Sequence, residues 1–384
     1  MNEHAFESNE IPMKPVSSLK TVDGMEVNLV ARSRNGDTIL ESQVVRLKNG
    51  ELFCTWTTGH HYEPHVKVHT RCARSYDDGR TWVEEKILFQ HPYRGVYTPT
   101  LYQDEDGSLY AFLCICGHRE SRDVLRYFHV MVSRGDEQAR NWSAPRSFLG
   151  GTDALEIKQV FRRGNRLYLA AFSADRINDK WADPDLVWDK ECIVNGRVFS
   201  AAELDSLGCS MTRTVSIYYS DDNLRSLHRG TLLSHFEHPF GFAEPAVTEL
   251  SDGSYIMLLR TEEPHIYASR SRNLVEWSPP EILPGVPTPA LGAKVRLLRD
   301  RRGYIYLFLK NGSVNRTAPL SCWVSCDDMK SWAAKLDLAW DDTPRNISYP
   351  SPFLDEEKKL LCFSFDNHVT EVYYATLPLQ AFGI

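Results

Sequence analysis

Ser75-Tyr-Asp-Asp-Gly-Arg-Thr-Trp82 places a dedicated residue at nearly every position of a hairpin tip. In the pattern Ser-x-Asp-x-Gly-x-Thr-Trp, Asp77 can accept backbone N–H bonds across the turn, Gly79 supplies a corner of positive φ, and Trp82 packs back on the outer strands. Degraded copies recur along the chain. Ser133-Arg-Gly-Asp136 leads to Asn141-Trp142, Ser220-Asp-Asp222 to Leu224-Arg-Ser226, Ser269-Arg-Ser-Arg-Asn273 to Trp277, and Ser325-Cys-Asp-Asp328 to Ser331-Trp332. Five such tips, separated by one long insertion, describe a repeat architecture.

Hairpins rich in β-formers share the repeat, with two apolar runs around a Gly or charged turn at Gly50, Gly107, Gly164, Gly253, Gly303 and Lys358. Strand, short polar turn, strand, gap, strand, tip, strand makes four antiparallel strands per unit, and six units fit 384 residues. The expected fold is all-β, a six-bladed β-propeller of four-stranded antiparallel blades. The sixth unit has no tip of its own, so the N-terminal run of about 25–33 is expected to donate its outermost strand. The segment of about 172–213 reads as a rim insertion in blade three, with one helical turn from Ala201 to Leu207. Residues 1–384 read as a single propeller domain, because no Gly/Ser- or Pro-rich linker divides them.

Net charge is −7 with both signs interspersed and no basic run, which argues against nucleic acid and acidic membranes as partners. The nine cysteines, an odd number sitting mostly at strand positions, read as free thiols in a reducing compartment. No apolar stretch approaches a membrane span and the N-terminus shows no leader-like apolar run, so a cytoplasmic location is expected.

The innermost strand of each propeller blade points its first residues at the central axis, so equivalent positions converge on one pocket. Counting back nine residues from each hairpin turn gives Glu41, Thr98, Leu155, Glu244, Lys294 and Tyr349. Blade three has a shorter turn, which makes Glu156 the alternative to Leu155. Carboxylates, a lysine and a tyrosine at equivalent inner positions form an ionisable cluster with no purely structural need behind it.

Further residues give this ring a resemblance. Phe242-Ala-Glu244-Pro245 leads sixteen residues on to Arg260, Asn315-Arg316 precedes the tip at Ser325, and Ser348-Tyr349-Pro350 opens blade six. With the tips, which have the form of Asp-boxes, these residues make the chain resemble the sialidase (neuraminidase) superfamily from blade one to blade six. The resemblance implies Tyr349 as nucleophile, Glu244 as the base that takes its proton, and Arg260 and Arg316 as binders of a sugar carboxylate, which Lys294 of the ring can join. Guanidinium forks suit a carboxylate, and a phenol attacks at neutral pH only when a neighbour accepts its proton.

Two departures accompany the match. Blade one opens with Ile39-Leu-Glu41-Ser-Gln43 where the family has an arginine, so Glu41 and Gln43 stand as substrate contacts together with Glu156. The loop Gly59 to His69, where the family's general acid lies, offers Glu63 as that acid, with His61 and His65 as rivals or substrate contacts. His60 and His61 cannot both face one ion from a strand and no Cys accompanies them, so no metal or cofactor is expected.

The implied function is a retaining exo-glycoside hydrolase that releases a terminal acidic, sialic-acid-like sugar, with a glycan as partner. Two other classes stay open. One is a propeller polysaccharide lyase or rhamnosidase-like hydrolase acting on uronate-containing glycans, with a histidine from the His60–His69 loop, His118 or His129. The other is a non-catalytic glycan-binding propeller.

Overall fold

The computed structural model describes residues 19–384 apart from 35, 62–64, 66, 93, 117–128, 150–153, 177–192, 195–196, 199–210, 236–240, 288–293, 312–318, 342–346 and 368. Six antiparallel sheets form the six blades. Their inner strands are Leu40–Arg46, Gly95–Gln103, Ala154–Arg163, Ala243–Glu249, Arg296–Arg299 and Ile347–Asp355. Each inner strand neighbours the next, and the sixth meets the first. Blade two has three full strands, and its fourth edge is reduced to bridges from Val132 to Arg146 and from Gly135 to Trp142. The outer edge of blade three is split into His228–Arg229 and Leu233–Ser234. Its strands Arg166–Arg176 and Met211–Ser220 stay paired out to Arg176 and Met211, and the helical turn expected at 201–207 lies outside the described residues.

The hairpin tips are built as the sequence pattern suggests. In blade one, Ser75 Oγ donates to Asp77 Oδ1 at 2.8 Å and accepts the Gly79 N–H at 2.8 Å, while Asp77 accepts the Thr81 N–H at 2.9 Å and its hydroxyl at 2.7 Å. Blade five repeats this with Ser325, Asp327 and Ser331, and blade three with Ser220, Asp222 and Ser226. In blade four the tip serine is Ser271, not Ser269, because it is Ser271 that stands two residues before Asn273. Ser269 and Ser133 instead donate to the carbonyls of Ser278 and Ser143, at 2.6 and 2.7 Å, and Gly135 occupies the tip-serine place in blade two.

Six buried apolar clusters hold the ring together, each shared mainly by two adjacent blades. The tip tryptophans belong to these seams: Trp82, Trp142 and Trp277 reach the preceding blade, while Trp332 of blade five also meets Trp323 of its own blade edge-on at 5.4 Å. Trp82 of blade one meets Tyr374 of blade six edge-on at 5.6 Å, and Trp142 of blade two meets Phe53 and Phe89 of blade one at 6.3 and 5.4 Å. Trp277 of blade four lies with Ile217 and Leu233 of blade three. The geometry explains Gly79, whose φ is +88° and where an added Cβ would lie 2.2 Å from the Tyr374 ring. Leu224, Leu274 and Met329 take the corresponding place in other blades, each at a φ of 64°.

Blade six is completed by the N-terminal strand Glu26–Arg32, which pairs with Glu371–Pro378 from Glu26↔Thr376 to Arg32↔Glu371. Arg32 holds Glu371 at 2.9 Å, and Tyr373 donates to the same carboxylate at 3.0 Å. A further strand, Leu19–Thr21, extends blade five to five strands by pairing with Ala334–Asp341. The seam between blades six and one also carries a buried carboxylate. Asp366 accepts the backbone N–H groups of Glu41 at 2.6 Å and Ser42 at 3.3 Å, yet burial outweighs these bonds and pushes its pKa up from 3.8 to about 7.

Gly79→Ala is expected to cost roughly 2–4 kcal/mol in stability, from overpacking against Tyr374 added to a positive φ. Gly253→Ala, at a φ of +77° with open space around it, should lose about 1 kcal/mol in the same urea titration. Asp366 gives a pH signature. Its folded pKa is raised, so the native state holds the proton more tightly and this contribution to stability is lost as pH rises from about 4 to about 7. Asp366→Asn should therefore gain on the wild type in urea midpoint between pH 4 and pH 8, and parallel curves would show that the carboxyl does not titrate in this window.

Candidate active site at the propeller axis

The inner strands do not run straight into the axis. Each of blades one, four and six carries a register shift at its ring position, between Leu40 and Gln43, Ala243 and Ala246, and Ser348 and Ser351. The residue inside each shift is left-handed: Glu41 has φ 52°, Glu244 47° and Tyr349 53°. Such a conformation costs a side-chain-bearing residue roughly 1–3 kcal/mol and persists only where the surroundings enforce it. Two of the three are followed by proline, Pro245 and Pro350, which lacks the N–H that a regular ladder would need and so suits a bulge. A bulge re-aims the side chain, and here it turns two carboxylates and a phenol onto common ground.

Lys158 stands at the centre of that ground. Its ammonium donates to both oxygens of Glu41 at 3.0 and 3.1 Å, pairs closely with Glu156, and lies 3.7 Å from Glu244. The three carboxylates come from blades one, three and four, and their combined charge overturns the burial of the lysine and holds it firmly protonated. Lys294 of blade five lies 3.6 Å from Glu41 Oε1 and 5.2 Å above the Tyr349 ring. Arg260 Nη1 donates to Glu244 Oε2, and the same guanidinium is hydrogen-bonded to Tyr349. Arg260 therefore links the carboxylate of blade four to the phenol of blade six.

The shared cations separate the carboxyl groups. Burial alone would raise Glu244, yet the charges of Arg260, Lys158 and Lys294 hold it far below the ordinary carboxylate range. Glu41 is lowered against its burial by Lys158 and Lys294. Glu156 ends above its usual value, because burial outweighs its bond to Lys158 and Glu41 and Glu244 add repulsion. The site thus offers firmly ionised carboxylates beside one that takes up a proton more readily, an arrangement suited to acid–base chemistry.

Of the residues nominated from sequence, Glu41, Glu156, Glu244, Arg260, Lys294 and Tyr349 meet in this cluster. Gln43 is turned to the seam between blades one and six, where its Oε1 accepts from Ser351 at 3.4 Å. His65 is buried in its loop, with its N–H donated to Tyr97 at 3.0 Å and its Nδ1 accepting from the Lys67 N–H at 3.1 Å, while His61 is exposed and packs on His60. Glu63 and Arg316 lie outside the described residues. Sequence reasoning missed Lys158 and Arg296, each two residues beyond a ring position, and Asp366, which fixes the backbone of Glu41. A charged residue at that second inner position was the available signal.

The model of the BNR repeat-like domain family matches residues 50–362. No curated protein matches the chain. Among solved structures, a protein of unknown function from Dyadobacter fermentans is 14% identical, with a TM-score of 0.69 over 92% of this chain and 99% of that one. The K499G mutant of NanB sialidase from Streptococcus pneumoniae is 13% identical, with a TM-score of 0.66 over 98% of this chain and 73% of its own. Trypanosoma rangeli sialidase in complex with 2,3-difluorosialic acid, a covalent intermediate, is 13% identical, with a TM-score of 0.63 over 93% of this chain and 59% of that one. At such identities the likeness is one of fold. With its six blades and the family match over most of its length, the chain belongs to the BNR repeat-like domain family.

Proposed function

We propose that the axial cluster is the active site of a glycoside hydrolase that removes a terminal acidic sugar with retention, Tyr349 acting as nucleophile. The observation that carries this reading is the Glu244–Arg260–Tyr349 linkage, with both end residues held left-handed on bulged inner strands. A lining that served only as a solvated channel would have no use for two strained residues joined by a buried guanidinium. Several structures of the same fold are sialidases, one of them holding a covalent intermediate, which supports the nucleophilic route.

In the first step the Tyr349 oxygen bonds to the anomeric carbon as the bond to the leaving oxygen breaks, and a carboxylic acid protonates that oxygen. Glu63 is the acid the chain position favours. Glu244 accepts the phenolic proton, and the Arg260 guanidinium beside it stabilises negative charge developing on the phenolic oxygen. Water then attacks the anomeric carbon, giving its proton to the carboxylate that acted as acid, as the bond to the Tyr349 oxygen breaks and Glu244 returns the proton to the phenol, so the free sugar leaves with its original anomeric configuration. A neutral phenol avoids the repulsion that a carboxylate nucleophile meets at an anionic sugar. The cations of the cluster favour an acidic substrate for the same electrostatic reason.

The test is product analysis on a panel of sialylated and uronate-containing oligosaccharides, following both released monosaccharide and ultraviolet absorbance. The expected result is a saturated acidic monosaccharide, with kcat reduced at least roughly 10³-fold in Tyr349→Phe. An unsaturated uronate product would establish a lyase, and binding without turnover across the panel would establish a glycan-binding propeller.

A further inference from the structure

The ring position of blade one is acidic, so no cation there can take the substrate's acid group. Glu41 is already claimed by Lys158 through both of its oxygens. Arg260 is committed to Glu244 and Tyr349. Blade five supplies what is left over. Val295 and Leu297 pack into the seam with blade four, and alternation along the strand turns Lys294 and Arg296 the other way, towards blade six. There Lys294 reaches over the Tyr349 ring, and Leu298 packs in the seam between blades five and six.

Both cations are deeply buried, Lys294 being 4% and Arg296 8% exposed. Among the described residues, Lys294 Nζ and Arg296 Nη1 have no hydrogen-bond partner. Lys294 keeps one ion pair, its 3.6 Å approach to Glu41, whose two oxygens Lys158 already holds, and desolvating cationic donors that are left without hydrogen bonds costs free energy that a purely structural role would not repay. The wider balance has the same sign. Among the described residues, the carboxylates of Glu41, Glu156 and Glu244 are set against Lys158, Arg260, Lys294 and Arg296, a surplus of positive charge while Asp366, which burial pushes up to about 7, holds its proton; the half-buried Arg213 has Glu262 beside it.

We propose that Lys294 and Arg296 form the seat of the substrate's carboxylate, so that the acid group is held from blade five and not from blade one. The identity of the anion as a sugar carboxylate rests on the hydrolase reading above. A carboxylate seated there would accept from the guanidinium and the ammonium together and would lie beside Tyr349, while Glu41 would face hydroxyl or amide N–H groups on the opposite side of the sugar. Burial, with Arg296 nearby, pushes the Lys294 ammonium down to about 8, and a bound anion would relieve that penalty.

The experiment is calorimetric titration of the wild-type protein with N-acetylneuraminate, D-glucuronate and D-galacturonate, each compared with its methyl ester, followed by the same titrations of Arg296→Gln and Lys294→Gln. At least one free acid is expected to bind at least tenfold more tightly than its ester, and each variant should lose at least tenfold affinity for the acid while its ester affinity holds. The ester comparison needs no variant, and the two variants are independent, so a folding defect in one leaves the test intact. Equal affinity for acid and ester, unchanged acid affinity in the variants, or no binding of any acid would overturn the seat. The two readings fail separately: acid binding with no oligosaccharide turnover removes the hydrolase alone, and turnover indifferent to Arg296→Gln removes the seat alone.

Discussion

One ammonium group, that of Lys158, is shared by carboxylates from three blades, and the axial site cannot be assembled without it. Removing it would leave Glu41, Glu156 and Glu244 facing one another in a buried place, with Lys294 and Arg260 drawn in to compensate. With it, Glu41 is neutralised locally, Glu244 remains the partner of Arg260, and Lys294 of blade five is left with only its longer 3.6 Å pairing to Glu41. Charge is thereby partitioned around the axis: acidic and self-satisfied at blades one and three, cationic at blade five, and bridged between blades four and six.

The backbone enforces this partition. Glu41, Glu244 and Tyr349 are aimed inward by bulges that cost conformational energy, and the seams between blades offset that cost. At the seam of blades six and one, Asp366 takes the N–H groups of Glu41 and Ser42, so the placing of the first ring carboxylate depends on the last blade. The tip tryptophans Trp82, Trp142 and Trp277 add to the effect, since each clamps its blade onto the preceding one.

Much of this architecture is legible in the sequence because turn chemistry is local. Ser75, Asp77 and Gly79 need only each other to define a tip, and six hairpin turns at similar spacing define six blades. The ring residues Glu41, Glu244, Lys294 and Tyr349 follow from counting back from those turns. The count becomes uncertain where a turn changes length, as it does between Leu155 and Glu156. Lys158 and Arg296 escape it, because a bulge at the ring position breaks the period of two and hides which later residues share the axial side. Asp366 is invisible for another reason: its importance lies in accepting N–H groups from a strand more than 300 residues away. The expectation for Trp82 missed Tyr374 of blade six because local pattern cannot tell a blade's own strands from its neighbour's.

The pairing of Glu26–Arg32 with Glu371–Pro378 has a consequence for how the molecule is made. The strand Glu26–Arg32 finds its partner about 350 positions further along the chain, so it waits as an unpaired edge while the blades between are made. Blades one to five can stack in order as they emerge, while the charged axis stays open on one side. Only with the final strands do Tyr349 and the Asp366 anchor for Glu41 take their places, so a chain that stops short yields a stack of blades without a working centre.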